Sequence, residues 1–163
     1  MPFRFTWRTL RGLLGLTLAC TCARGAEWSV DLNGDPAAEN VFTSLVDALA
    51  SESVKSGDTL LMAPGEYIHT GELDIDKGVI IQGDGTGEVI LKRSGQPDRV
   101  SKTSPSSSWY FPEQYGYSIR VTASDVSFKS VTIGGWESER TGFGWVLGVG
   151  GKNLTFEEVS FPG

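Results

Sequence analysis

DVSFKSVTIGG, residues 125–135, lies over NLTFEEVSFPG, residues 153–163, at an offset of 28. Val126 then falls on Leu154, Phe128 on Phe156, Val131 on Val159 and Ile133 on Phe161. In the strand before each segment, Ile119 falls on Leu147 and Val121 on Val149. A period of 28 residues, divided into three short strands and their turns, suits one coil of a parallel β-helix, where each residue stacks on its equivalent one turn away. The repeating apolar positions should point inward and the Ser, Thr and Lys between them outward. An antiparallel sandwich of the same strands is the competing arrangement.

Upstream of the repeat, short apolar and β-branched runs recur at TLLM (59–62), LDI (73–75), GVIIQG (78–83), EVILK (88–92) and YSIRV (117–121), mostly separated by Gly, Asp, Asn or Ser. They stand too close together for helical crossovers, which argues against a doubly wound α/β sheet. One helix is predicted over residues 44–54. Ser44 is its N-cap with Asp47 three residues on, and Leu45, Leu49 and Val46 form its apolar stripe, before KSGD at 55–58 ends it. EWSVD before it reads as a short strand and DLNGDP as a turn.

The first residues have a different character. Arg4, Arg8 and Arg11 precede the apolar run GLLGLTLAC (12–20), and small residues follow in TCARGA (21–26), the pattern of a secretory signal peptide over 1–26. The run is too short to cross a bilayer, so no transmembrane span is expected and the protein should be secreted, extracellular or periplasmic. Removing the leader removes Cys20 and Cys22, the only cysteines, and leaves a domain without a disulfide. With 163 residues, 39% hydrophobic, 21% charged and 21 glycines, the chain is neither collagen, coiled coil nor wholly disordered. Its net charge is -6; all four basic residues of the leader precede Glu27, so residues 27–163 carry 10 basic against 20 acidic groups, or -10. Such a surface opposes non-specific binding to nucleic acid and anionic lipid, and suits a cation, a neutral glycan or a basic partner.

WSVDLNGDP (28–36), VFTSLVDAL (41–49), SGDTLLMAPGEY (56–67) and GVIIQGDGTGEVI (78–90) together resemble the N-terminal part of the right-handed parallel β-helix proteins of the pectate lyase-like superfamily. The resemblance implies an all-β, right-handed single-stranded parallel β-helix over 27–163. Residues 27–57 would be a capping strand and helix, and 58–163 about four coils with insertions at 93–116 and 134–144. Gly57 and Asp58 would turn into the first coil and Pro64 and Gly65 out of it. Such solenoids normally run on, so further coils are expected beyond Gly163.

Function is less marked. Lyases of this superfamily hold calcium against a uronic carboxylate with acidic residues and abstract a proton with a basic one; its hydrolases use clustered aspartates. The resemblance therefore implies a polysaccharide partner, with calcium as the cofactor if the chain is a lyase. The outward charged candidates are Lys92, Arg93, Arg120, Lys129, Glu137, Glu139 and Arg140, and none of the family's catalytic motifs can be placed on them. Whether the chain is an enzyme stays open, and no catalytic residue is assigned. His69, the only histidine, reads as a solvated turn residue, so a zinc site is not expected. GDGTG at 83–87 joins two strands and reads as a turn. The two insertions hold the ligand-binding candidates: Trp109 and Tyr110 in the first, and Trp136, Glu137, Glu139, Arg140 and Trp145 in and around the second. Loops on a rigid solenoid commonly carry binding residues, and aromatic rings can stack on sugar faces. Asn153, with Leu154 and Thr155, forms a glycosylation sequon relevant to a eukaryotic source. The leading function is a secreted domain related to polysaccharide-active proteins, as a uronic lyase or glycoside hydrolase; the alternative is a non-catalytic carbohydrate-binding, adhesive or structural solenoid.

Overall fold

In TLLM, LDI, IIQG and VILKRS every second side chain is buried, the period of a strand with one face on a core. A computed structural model describes residues 25–94, 99–100, 114–115, 117–136 and 145–161. Its strands are β1 Glu27–Val30, β2 Val41–Phe42, β3 Thr59–Met62, β4 Gly65–Thr70, β5 Leu73–Ile75, β6 Ile80–Gly83, β7 Val89–Ser94, β8 Arg99–Val100, β9 Gln114–Tyr115, β10 Tyr117–Val121, β11 Ser127–Lys129, β12 Thr132–Trp136, β13 Trp145–Val149 and β14 Thr155–Glu157, with one helix, α1 Leu45–Ala50.

Three sheets contain all but two of these strands. Sheet A has the order β14-β11-β6-β3-β1-β2, sheet B β12-β7-β4 and sheet C β13-β10-β5. From β3 the chain visits A, B and C in turn three times and returns to A at β14, a solenoid-like path. Every pairing inside the three sheets is parallel; only β8 and β9 pair antiparallel. The antiparallel sandwich is therefore not the arrangement of the described strands.

The 28-residue repeat is a register. Phe128 pairs with Phe156, Ile119 with Leu147 and Val121 with Val149. Equivalent residues stand in register from coil to coil, such as Leu60, Ile81, Phe128 and Phe156, or Leu73, Ile119 and Leu147. Phe128 and Phe156 stack nearly parallel, 5.6 Å apart and 8° from coplanar. Turn residues repeat as well: Asp125 and Asn153 have φ of 60° and 56°, and Ser130 and Glu158 of 49° and 54°. Each left-handed pair is joined across coils, by Asn153 Nδ2 donating to Asp125 Oδ1 (2.8 Å) and Ser130 Oγ donating to Glu158 Oε2 (2.7 Å).

The N-terminal part is fastened by specific polar groups. Ser44 caps α1 as predicted, its Oγ accepting from Val46 N and Asp47 N at 3.2 and 3.4 Å. The helix is shorter than 44–54. Its chain turns extended at Ser51, and the Lys77 ammonium takes the Leu49 and Ser51 carbonyls at 2.7 and 2.6 Å. Leu45, Ala48 and Leu49 are buried, while Val46 is 44% exposed; the i, i+3, i+4 spacing puts Ala48, not Val46, on the inward stripe. Asp58 holds the cap to the first coil: its carboxylate accepts from Ala26 N (2.7 Å), Lys55 N (2.8 Å) and Trp28 Nε1 (2.9 Å). Trp28 in turn packs 5.6 Å from Phe42. Among the described residues no helix is long and apolar enough to cross a membrane.

Candidate functional site

The connections between sheets differ in how much length they hold. From A to B they contain 2, 5 and 2 residues, from C to A 4, 5 and 5, but from B to C 2, 22 and 8. Both insertions thus leave from the same corner of successive coils. Their roots are paired: Trp136 at the end of β12 lies beside Arg93 near the end of β7, and Trp145 at the start of β13 beside Tyr117 at the start of β10. In the first coil this corner is the tight turn of Gly71 and Glu72, with Gly71 at φ +75°, where glycine is favoured. β7 is paired through Ser94, and β12 meets β7 at Trp136 after a register irregularity that follows Ile133.

Beneath the corner is a polar cluster that sequence reasoning placed at the surface. His69 is not a solvated turn residue: it belongs to β4, faces inward beside Tyr67 and is 5% exposed. Arg93, its direct neighbour on β7, is 2% exposed rather than outward, and Ser118 on β10 is fully buried. The parity explains both. In GEYIHT, His69 shares the inward face with Tyr67, and in VILKRS, Arg93 shares it with Val89 and Leu91. His69 Nδ1 is 3.0 Å from the Gly71 carbonyl oxygen, which fixes the tautomer with the proton on Nδ1 and leaves Nε2 to accept from the Ser118 hydroxyl at 3.5 Å. Burial holds the imidazole below its ordinary pKa, and the Arg93 charge adds to this, against an opposing contribution from the Gly71 carbonyl. The ring is neutral at pH 7. A histidine beside a serine resembles part of a nucleophilic pair, but a hydroxyl with no exposed surface cannot meet a polymer, and the arrangement serves as an internal polar tie.

On the outer surface the charges come in pairs. Lys92 Nζ lies 2.8 Å from Glu66 Oε1. Arg120 forks onto Asp74, Nε to Oδ1 at 2.5 Å and Nη2 to Oδ2 at 2.8 Å, and its Nε also lies 2.8 Å from Glu72 Oε1. The bond to Asp74, then the charges of Glu72 and Asp74, raise the Arg120 pKa further above its usual value. On sheet A, Lys129 Nζ meets Glu157 Oε2 at 3.1 Å. A cleft of about 170 Å³ opens nearby between the start of α1 and β4; exposed Leu32, Val46 and Ile68 line it together with Tyr67, His69 and Leu73.

Of the predicted ligand-binding residues, Trp136 and Trp145 are placed by their backbones at the two roots. Trp109, Tyr110, Glu137, Glu139 and Arg140 lie outside the described residues. Asn153 sits in a left-handed turn with its amide on Asp125. No group of three or more His, Cys, Asp or Glu side chains is placed to hold a metal ion among the described residues. Comparison of the chain with protein-family models, with curated proteins and with solved structures finds no match.

Proposed function

We propose that this chain is a right-handed, single-stranded parallel β-helix domain of the pectate lyase-like type, secreted by way of its leader, that binds polysaccharide at the corner between sheets B and C. The observation that carries the reading is the common root of the two insertions. The backbone pairings of Trp136 with Arg93 and Trp145 with Tyr117 root the two insertions on adjacent coils, the first carrying Trp109, Tyr110, Phe111 and Tyr115 in its sequence and the second flanked by Trp136 and Trp145. Parallel sheets visited in a constant order support the β-helix, because stacked coils give such loops a rigid and regularly spaced base.

Retention on immobilised or gel-embedded polysaccharides tests the reading. Trp109→Ala and Tyr110→Ala should each weaken retention by roughly 5- to 30-fold, the equivalent of about 1–2 kcal/mol for a buried aromatic contact. Failure of the intact protein to be retained by any polymer would sink the proposal.

A catalytic reading rests on Glu137 and Glu139, a carboxylate pair carried by the second insertion from the same corner. It calls for unsaturated uronate, formed with added calcium, or for new reducing ends, and for loss of either in Glu137→Gln. Retention without turnover assigns the chain to the binding class.

A further inference from the structure

On the outer faces of sheets A, B and C, Lys92 on β7, Arg120 on β10 and Lys129 on β11 are each already paired with a carboxylate from a neighbouring coil. Two of these cations flank the corner from which the insertions leave, and they face three carboxylates there: Glu66 for Lys92, and Glu72 with Asp74 for Arg120. The cations described on the outer face beside the corner are therefore already engaged, on a domain whose residues 27–163 total -10. Another cation next to the corner, Arg93, is buried beside His69. Hydroxyls stand at the corner beside these pairs, Thr70 Oγ1 and Ser94 Oγ 3.3 Å apart.

From this arrangement we infer that the polysaccharide bound at the corner is a neutral glycan, not a uronic acid polymer. The inference rests on the polysaccharide-binding reading above and adds the ligand's charge class to it. A polyuronate would bring one carboxylate per sugar to a surface whose guanidinium and ammonium groups are already engaged, and would have to displace Asp74 or Glu66 to reach them. Neutral sugars need no such exchange. Their hydroxyls donate to carboxylates and exchange hydrogen bonds with Thr and Ser, which is what this face offers. Field and contact act in the same direction, since a net negative domain lowers the local concentration of a polyanion.

Homogalacturonan supplies a matched pair of probes, because methyl esterification removes its charge and keeps its backbone. The intact protein is run by affinity electrophoresis against highly methyl-esterified homogalacturonan, polygalacturonate, xylan, galactomannan and mixed-linkage glucan at low and at high salt. At least one uncharged polymer should retard it, with polygalacturonate at least about tenfold weaker at low salt and the gap narrowing as salt screens the repulsion. In the double variant Glu72→Gln, Asp74→Asn, which releases Arg120 and removes two carboxylates from the face, retention by polygalacturonate should rise at least about threefold while retention by the uncharged polymer does not rise. Circular dichroism checks that the variant keeps its strands. Polygalacturonate bound as tightly as the uncharged polymers, or more tightly, overturns the neutral-glycan inference and leaves polysaccharide binding standing. Retention by none of the polymers overturns both.

Discussion

Replacing Asp58 by alanine should loosen the N-terminal cap from the first coil. The side chain is 5% exposed and accepts three hydrogen bonds, two from the backbone of Ala26 and Lys55 and one from the Trp28 indole. Hydrogen bonds to a charged acceptor contribute about 1.5–3 kcal/mol each, but Ala26 and Lys55 are exposed, so water replaces part of what they lose. About 1 kcal/mol for each of these and about 2 for the half-buried indole gives a loss of about 3–4 kcal/mol. Asp58→Asn keeps one acceptor oxygen and should lose about half as much. Urea unfolding followed by tryptophan fluorescence measures the change, and hydrogen exchange over β1 locates it. An alanine variant within about 0.5 kcal/mol of the parent, at unchanged m-value, would refute the reasoning. The pH dependence gives a second reading. Burial alone would raise the Asp58 pKa, but the donors from Lys55, Trp28 and Ala26 and the Lys55 charge outweigh it, so the folded pKa lies below the ordinary 3.8. A depressed carboxylate contributes stability that is full above its unfolded pKa and is lost as pH falls through the folded one. The gap between parent and Asp58→Asn should accordingly close below about pH 4.

His69 titrates in the opposite sense to a salt-bridged histidine. Its folded pKa lies below 6.5, so the folded state binds fewer protons than the unfolded one, and stability should be flat above that pH and fall as pH drops below it toward the folded pKa. His69→Gln should flatten this portion of the urea-stability profile; an unchanged slope between pH 7 and pH 5 would place the imidazole in solvent. In the aromatic column, Phe128→Ala should cost about 3–5 kcal/mol in chemical denaturation, as a fully buried ring does. Phe156→Ala, one coil on and 41% exposed, should cost well under half of that, and equal losses would contradict the burial assigned to Phe156. Asn153→Ala removes the amide bonded to Asp125 and puts a less tolerant residue at φ 56°, with an expected cost of about 1–2 kcal/mol in the same assay. Asn153→Gly, which accepts that backbone, should recover part of the loss.

The parallel register was legible in the sequence because apolar side chains repeat where coils have equal length. Phe128 over Phe156 is visible at an offset of 28, and the ladder has that offset. Earlier coils hide the same relation. Thr59 pairs with Ile80 at an offset of 21, Gly65 with Val89 at 24, and Leu73 with Ile119 at 46, so no single period aligns them. The site was legible only in outline. Long polar loops with Trp and Tyr could be seen, whereas the buried His69, Arg93 and Ser118 beneath them could not, because composition marks His and Arg as surface residues. The available signal was strand parity. Reading GEYIHT and VILKRS as strands with Tyr67 and Leu91 inward would have turned His69 and Arg93 inward with them.

Why both insertions use one corner follows from what the other corners must do. The turns from C to A and from A to B carry the left-handed pairs Asp125 with Asn153 and Ser130 with Glu158, each bonded to its partner one coil away. In the coils that share these pairs, extra residues would break a cross-coil bond and displace a backbone conformation common to both neighbours; the longer A to B turn at 84–88 lies outside them. The B to C corner has no repeated left-handed pair among the described residues, and its tight form is the Gly71 turn alone. Length can enter after Ser94 or Trp136, provided the chain comes back to pair Tyr117 with Trp145. The inward tie of His69 to Ser118 then acquires a structural role: it joins β4, just before the tight turn, to β10, just after the long insertion, so the far end of a 22-residue excursion is held beside its start. An insertion rooted this way can vary in sequence and length while its two ends stay fixed by the parallel sheets.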